Sequence, residues 1–222
     1  MEIKRVSTQL ALFLGEQVAR PDKLFNNLNE DLGEVIDTMP QIFPLPQGIA
    51  LEMPVVIGSS LSGQFSLNIF QSRVDLIRNY LPDEDKVKAL VDFKSKCKLL
   101  ISLVAHLYKI NRVGIVGTFY IEAKNPSSFI TKNFFRKEDA TLQEASIRLN
   151  KVSEEFGMKF NNILSLNVAE IESPSYAGNC VLIQLDNNSI PGDSPLTPNI
   201  INDVFDKKSI IYSEEHVKQR IG

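Results

Sequence analysis

Ile3-Lys4-Arg5-Val6 opens the chain, and Ile110-Asn111-Arg112-Val113 stands 107 residues later, close to half of the 222 positions. Each tetrapeptide heads a run rich in β-branched and large apolar residues, Ile3 to Leu14 and Arg112 to Ala123, so each reads as the start of a strand. A self-match at such an offset is the mark of an internal duplication. Behind the heads, Leu12, Phe13 and Leu14 stand opposite Phe119, Tyr120 and Ile121, followed by a helix carrying Phe25 or Phe129, a hairpin and a closing helix. Both halves therefore read strand, helix, strand, strand, helix, with an additional strand near Val181. The expected fold is α+β, with two pseudo-repeated lobes at residues 1–109 and 110–222 packed as one unit, a mostly antiparallel sheet and a long buried helix. The two first strands are expected to meet in a common sheet or interface.

Working outward, Pro21-Asp22 followed by Leu24, Phe25, Leu28, Leu32, Val35 and Ile36 has helical spacing. Pro40, Pro44 and Pro46 keep Thr38 to Gly48 out of helix and sheet, which predicts an extended connection. Ile49 to Ile57 reads as a strand with Pro54 suggesting an edge, and Gln64 to Ile77 reads as one long or bent strand beyond the turn at Gly58 to Gly63. Pro82-Asp83-Glu84-Asp85 is expected to place acids on the first turn of a helix, where the macrodipole favours them. Val87, Leu90, Val91, Cys97, Ile101, Val104 and Tyr108 carry the inner face, with Leu99 to Leu107 buried on more than one side. A short helix from Pro126, strands at Thr141–Val152, Met158–Ile171 and Gly178–Asp186, and a helix capped by Thr197 complete the second half.

The Gly63-Gln64-Phe65-Ser66-Leu67 hairpin, Arg73 after it, the long helix to Leu107 and the Arg112-Val113-Gly114 strand together resemble a sporadically distributed family of prokaryotic proteins of similar length. The resemblance covers most of the chain. It implies an arrangement of the fold and no chemistry, since it brings no catalytic residues with it.

Composition closes several classes. With 24 Lys and Arg against 27 Asp and Glu, the net charge of -3 supplies no basic field for a nucleic-acid backbone. Stacking platforms would interleave aromatics with cations, and only Phe134-Phe135-Arg136-Lys137 approaches that pattern. Cys97 and Cys180, with His106 and His216, are too few for a disulfide framework or a zinc site without the convergence of all four. Leu10 to Leu14 is too short for a secretory signal, and Leu99 to Ile110 is too short and too polar for a membrane span, so a cytoplasmic protein is expected.

Catalytic constellations fail on geometry. Neither a GxGxxG fingerprint nor a P-loop occurs, and Gly114 and Gly117 lie within a strand pattern, where glycine marks close packing. Cys97 falls on the apolar stripe although Lys94, Lys96 and Lys98 flank it, so it reads as structural, as does Cys180. His106 lies on the far side of the helix from Cys97; it reads as a core residue or a cation near the helix C-terminus, and His216, beside Glu214 and Glu215, as solvated. The expected function is a non-enzymatic interaction or scaffold subunit with a protein partner or a second copy and no cofactor. The alternative is an enzyme or small-anion binder that uses Arg5, Arg73 and Arg112 in a groove between the lobes. Ile42, Phe43 and Leu45 sit between prolines that pre-extend the chain; Phe43 is expected first to cap the sheet edge, and otherwise to anchor a partner.

Overall fold

The computed structural model describes residues 2–43, 53–135, 141–173, 176–192 and 194–221. In chain order the elements are β1 (Lys4–Leu14), α1 (Pro21–Asp31), β2 (Gln41–Ile42), β3 (Val56–Ser59), β4 (Phe65–Ile69), β5 (Arg73–Asn79), α2 (Lys86–Leu107), β6 (Ile110–Glu122), α3 (Pro126–Phe135), β7 (Ser146–Glu155), β8 (Met158–Ser173), β9 (Tyr176–Ser189) and α4 (Pro198–Lys208). A 3-10 turn at Ser209–Tyr212 and α5 (Glu214–Ile221) follow. This is an α+β fold. Among the described residues the strands form one nine-stranded antiparallel sheet in the order β2-β3-β4-β5-β1-β6-β9-β8-β7.

The first strand of each half lies at the centre. β1 and β6 pair antiparallel from Lys4↔Tyr120 to Leu14↔Ile110, with an irregularity between Arg5 and Ser7 that lets Arg5 stand opposite Phe119. Alternation then sorts the two faces. Leu10, Leu12, Leu76, Ile115 and Val113 point to one side and are fully buried or nearly so. All the helices that can be placed by contact lie on that side. A Cβ on Gly58, cross-strand from Leu67, would meet the Phe25 ring of α1, and one on Gly117, cross-strand from Thr8, would meet the Ile211 carbonyl. Phe93 of α2 packs edge-on against Tyr212 at 5.8 Å. α3 packs against β7, β8 and β9, where the row Phe119, Ile183, Leu166 and Ile147 is buried, while Gln184 on the reverse side is exposed.

Several expectations change. The stretch from Gln64 to Ile77 is not one strand: the chain reverses at Phe70-Gln71-Ser72, where the Phe70 N–H donates to the Arg73 carbonyl at 2.8 Å. Of the proline-rich connection, Gln41–Ile42 pairs with β3 as a short outer strand, and Ile49 to Glu52 of the strand expected after it lies outside the described residues. Four strands, rather than two, therefore separate the helices of the first half, while the three strands expected between the helices of the second half are all present. The acids before α2 precede its first turn: Asp85 is the N-cap, accepting from the Val87 and Lys88 N–H groups at 3.0 Å each. The inner stripe of α2 is Ala89, Phe93, Cys97, Leu100, Ile101 and Val104, whereas Val87 and Val91 are exposed. Leu99 and Leu107 are also exposed, so the last third of α2 is buried on one side only, as one-sided stacking of helices on a sheet requires.

Gly117 satisfies the close-approach reading, since a Cβ there would stand 2.8 Å from the Ile211 backbone oxygen, whereas Gly114 has only ordinary contacts from 3.5 Å outward. Gly117→Ala is expected to lower stability by about 1–3 kcal/mol through forced displacement of the 3-10 turn, while Gly114→Ala stays within about 0.5 kcal/mol of wild type. Chemical denaturation of the two variants side by side checks the contrast.

Candidate functional site

On the helix-free side of the sheet, β1 presents Gln9, Ala11 and Phe13, the residues between its buried leucines. Register does the rest: Phe13 lies directly across from Arg73 on β5 and from Arg112 on β6. Cross-strand neighbours stand about 5 Å apart, and both guanidinium groups lie over the Phe13 ring, at 5.4 Å for Arg73 and 4.6 Å for Arg112. Arg73 is also held over Phe70 at 3.7 Å. The result is an aromatic ring flanked by two cations, an arrangement that desolvates guanidinium planes without neutralising them.

The two arginines differ in charge balance. Arg73 Nε stands 3.0 Å from Asp75 Oδ1 without hydrogen-bond alignment, so their attraction is coulombic. Arg112 has no ion-pair partner among the described residues, and its buried Nε has no acceptor. Asp75 is almost fully buried; it accepts from Gln9 Nε2 at 3.0 Å and lies opposite Asn68, whose buried Oδ1 has no partner. Burial pushes the Asp75 carboxyl up to about 6 despite the opposing pull of Arg73 and Gln9. Farther along the same face, Asn150, Asn161, Asn188 and Asp186 form a hydrogen-bonded file across β7, β8 and β9.

The structure thus brings Arg73 and Arg112 together and leaves Arg5 apart. Arg5 lies at the other end of β1 on the helix-bearing side, with its side chain 4% exposed. Its Nη2 donates to Glu214 Oε2 at 2.6 Å, its Nη1 donates to the Lys86 carbonyl at 3.3 Å, and the group lies over Tyr80 at 4.8 Å. Its Nε alone has no acceptor, so Arg5 acts as a tie between β1, α2 and α5. A cavity of about 410 Å³ beside it is lined from both halves, by Lys4, Arg5, Tyr80, Lys86 and Tyr120 among others.

Phe43 does not cap the core: it is 41% exposed and Ile42 is 59% exposed. Leu45, Arg136 and Lys137 lie outside the described residues. Cys97 and Cys180 are both free and buried, and burial pushes both thiols up, the Cys97 thiol strongly, even with Lys94 nearby. His106 is exposed in the last turn of α2 and is therefore not a core residue. His216 is not simply solvated; it is half-buried, and desolvation with Arg220 nearby holds its pKa down. Among the described residues no group of three or more His, Cys, Asp or Glu side chains could hold a metal ion, and no helix is long and apolar enough to cross a membrane.

Neither a family model nor a curated protein matches this chain. The functional reading therefore rests on the residues of the chain itself.

Phe13, Phe70, Asp75 and Gln9 complete a site of which only the arginines were singled out from sequence. The alternation at residues 9, 11 and 13 marks the face, but the register that aligns it with Arg73 and Arg112 is a property of the paired strands. The buried carboxyl has a measurable consequence. The folded state holds the Asp75 proton more tightly than the unfolded chain does, so this contribution to stability is fully present below the ordinary carboxylate range and is lost as pH rises through about 6. Asp75→Asn is expected to gain roughly 2–3 kcal/mol relative to wild type between pH ~4 and ~7.5. Urea denaturation at both pH values measures it, and a pH-independent difference would contradict the assignment.

Proposed function

We propose that the chain is a non-enzymatic protein-interaction subunit built from two pseudo-repeated lobes, residues 1–109 and 110–222. Its docking surface is the helix-free face around Phe13. The strand order supports the duplication: from the centre outward β1, β5, β4, β3 on one side correspond to β6, β9, β8, β7 on the other. A helix with proline in its first turn follows each central strand.

The observation that carries the docking surface is Arg112, a cation stacked on Phe13 with no carboxylate partner among the described residues. Arginine and aromatic side chains at the centre of a patch are the residue types that dominate interface energies, and a partner's acidic side chain on Arg112 with an apolar one against Phe13 satisfies both. The sheet edges are less suited to the task. β7 carries Arg148, Lys151 and Glu154, charges that discourage edge pairing, and β2 spans only two residues.

The test is affinity capture from the native cell with wild type, Arg112→Ala and the double variant Ile42→Ala/Phe43→Ala. Arg112→Ala is expected to melt like wild type and to lose the captured partner, with an affinity loss of about 2 kcal/mol or more in a purified pair. Loss of capture only in the Ile42/Phe43 variant would move the surface to the β2 edge, and unchanged capture in both would remove the proposal.

A further inference from the structure

On the opposite, helix-bearing side of the sheet lies a second feature. The cross-strand row Leu10, Ile115, Asn187, Asn162 and Lys151 starts in the core and ends in the open at the exposed Lys151 of the outer strand β7. There the 3-10 turn and α5 leave a cavity of about 270 Å³ over β7, β8 and β9. Leu185 and Ile211 contribute an apolar floor, and Asn162 and Ser153 contribute neutral polar groups.

The charged lining is one-sided. Lys151, Lys207, Lys208 and Arg220 meet there, and Glu155 is the only carboxylate that lines the cavity among the described residues. Glu155 is already engaged three times: Lys208 Nζ donates to its Oε1 at 2.5 Å, Ser153 Oγ donates to the same oxygen at 3.1 Å, and Lys207 Nζ lies 3.0 Å from its Oε2. Lys208, with a side chain only 8% exposed, also donates to Asn162 Oδ1 at 3.3 Å and lies over the Phe160 ring at 4.7 Å. Lys151 and Arg220 have no ion-pair partner among the described residues. The nearby acids are used elsewhere, Asp206 by Lys98 at 2.7 Å and Glu214 by Arg5 at 2.6 Å.

Ordinary helix chemistry accounts for part of this charge. Lys207, Lys208 and Arg220 occupy the last turns of α4 and α5, where each helix end offers about half a negative charge. Even with both ends counted in full beside Glu155, four cations leave a surplus of about two positive charges, in a chain whose net charge is -3. A single carboxylate ligand would balance half of that surplus, whereas a dianionic phosphoryl group balances all of it.

We propose that this cavity is a binding site for a small phosphate-bearing molecule. Its phosphoryl group lies between Lys151, Lys208 and Arg220, with any organic body against Leu185 and Ile211; Asn162 and Ser153, whose donors are spent on the Lys151 carbonyl, on each other and on Glu155, hold the cavity wall in place. The volume admits a phosphoryl group with a few attached carbons and is below the usual range for larger ligands. The site is independent of the docking surface proposed above, which lies across the sheet.

Calorimetric titration with inorganic phosphate, glycerol 3-phosphate and succinate tests it, using wild type and the double variant Lys151→Ala/Arg220→Ala. Both altered side chains are exposed, so the variant is expected to keep the wild-type melting temperature without ligand. Wild type is expected to bind one or both phosphates and not succinate, and the double variant to bind them at least about tenfold more weakly. Tighter binding of glycerol 3-phosphate supports an organic phosphate, and equal binding of the two assigns the site to free phosphate. Absence of phosphate binding up to about 10 mM, equal binding of succinate, or an undiminished affinity in the double variant would each overturn the assignment.

Discussion

Backbone hydrogen bonding between β1 and β6 is the interaction on which the rest of the structure depends. It joins two groups of strands into one sheet, although the pairing residues lie roughly a hundred positions apart in sequence. Closing a loop of that length costs about 4 kcal/mol in chain entropy. The side chains that offset it lie on the same two strands: Leu10, Leu12, Val113 and Ile115 are at most 1% exposed, and each fully buried aliphatic side chain contributes about 1.5–3 kcal/mol. Joining the central strands and building the core are therefore one event. The Tyr212 hydroxyl, donating to the Gln9 carbonyl at 2.7 Å, ties the C-terminal elements to the same strand.

That joint also decides where function can reside. Once the leucines of β1 face the helices, strict alternation sends Gln9, Ala11 and Phe13 to the other side, and antiparallel register brings Arg73 and Arg112 to Phe13 from either flank. A one-residue slip of β6 would send Arg112 to the helix-bearing side and Val113 to solvent. The helix-free face holds its polar groups in place by pairing them with each other, as in Gln9 with Asp75 and Asn161 with Asn188. Arg112, with no ion-pair partner among the described residues, is the cation on which the proposed docking surface rests.

The elements with strong local signals were legible in the chain. β1 and β6 follow from their β-branched runs, α4 from the Thr197-Pro198 start, and the fold class from the order of elements. What failed depended on information beyond the local window. The apolar pattern runs through Phe70 without a glycine or proline to announce the reversal between β4 and β5. Val87 and Val91 fit a helical period as well as Ala89 and Phe93 do, and only the position of the sheet selects between them. The candidate sites show the same division. Arg73 and Arg112 could be named as charged strand residues, but their convergence on Phe13 is a matter of register. The cationic cavity draws on six elements, and nothing in the local sequence around Lys151, Lys207, Lys208 or Arg220 marks these four cations as neighbours.

Native-state hydrogen exchange tests most directly the claim that the β1–β6 joint holds the two halves as one cooperative unit. The amides of Leu10, Leu12, Val113 and Ile115 should exchange only through global unfolding, with an opening free energy and denaturant dependence equal to those of the whole protein and to those of the inner strands β5 and β9. An opening of residues 110–222 at distinctly lower free energy, with β5 and the core of the first half still protected, would show that the halves are separable and would contradict the account.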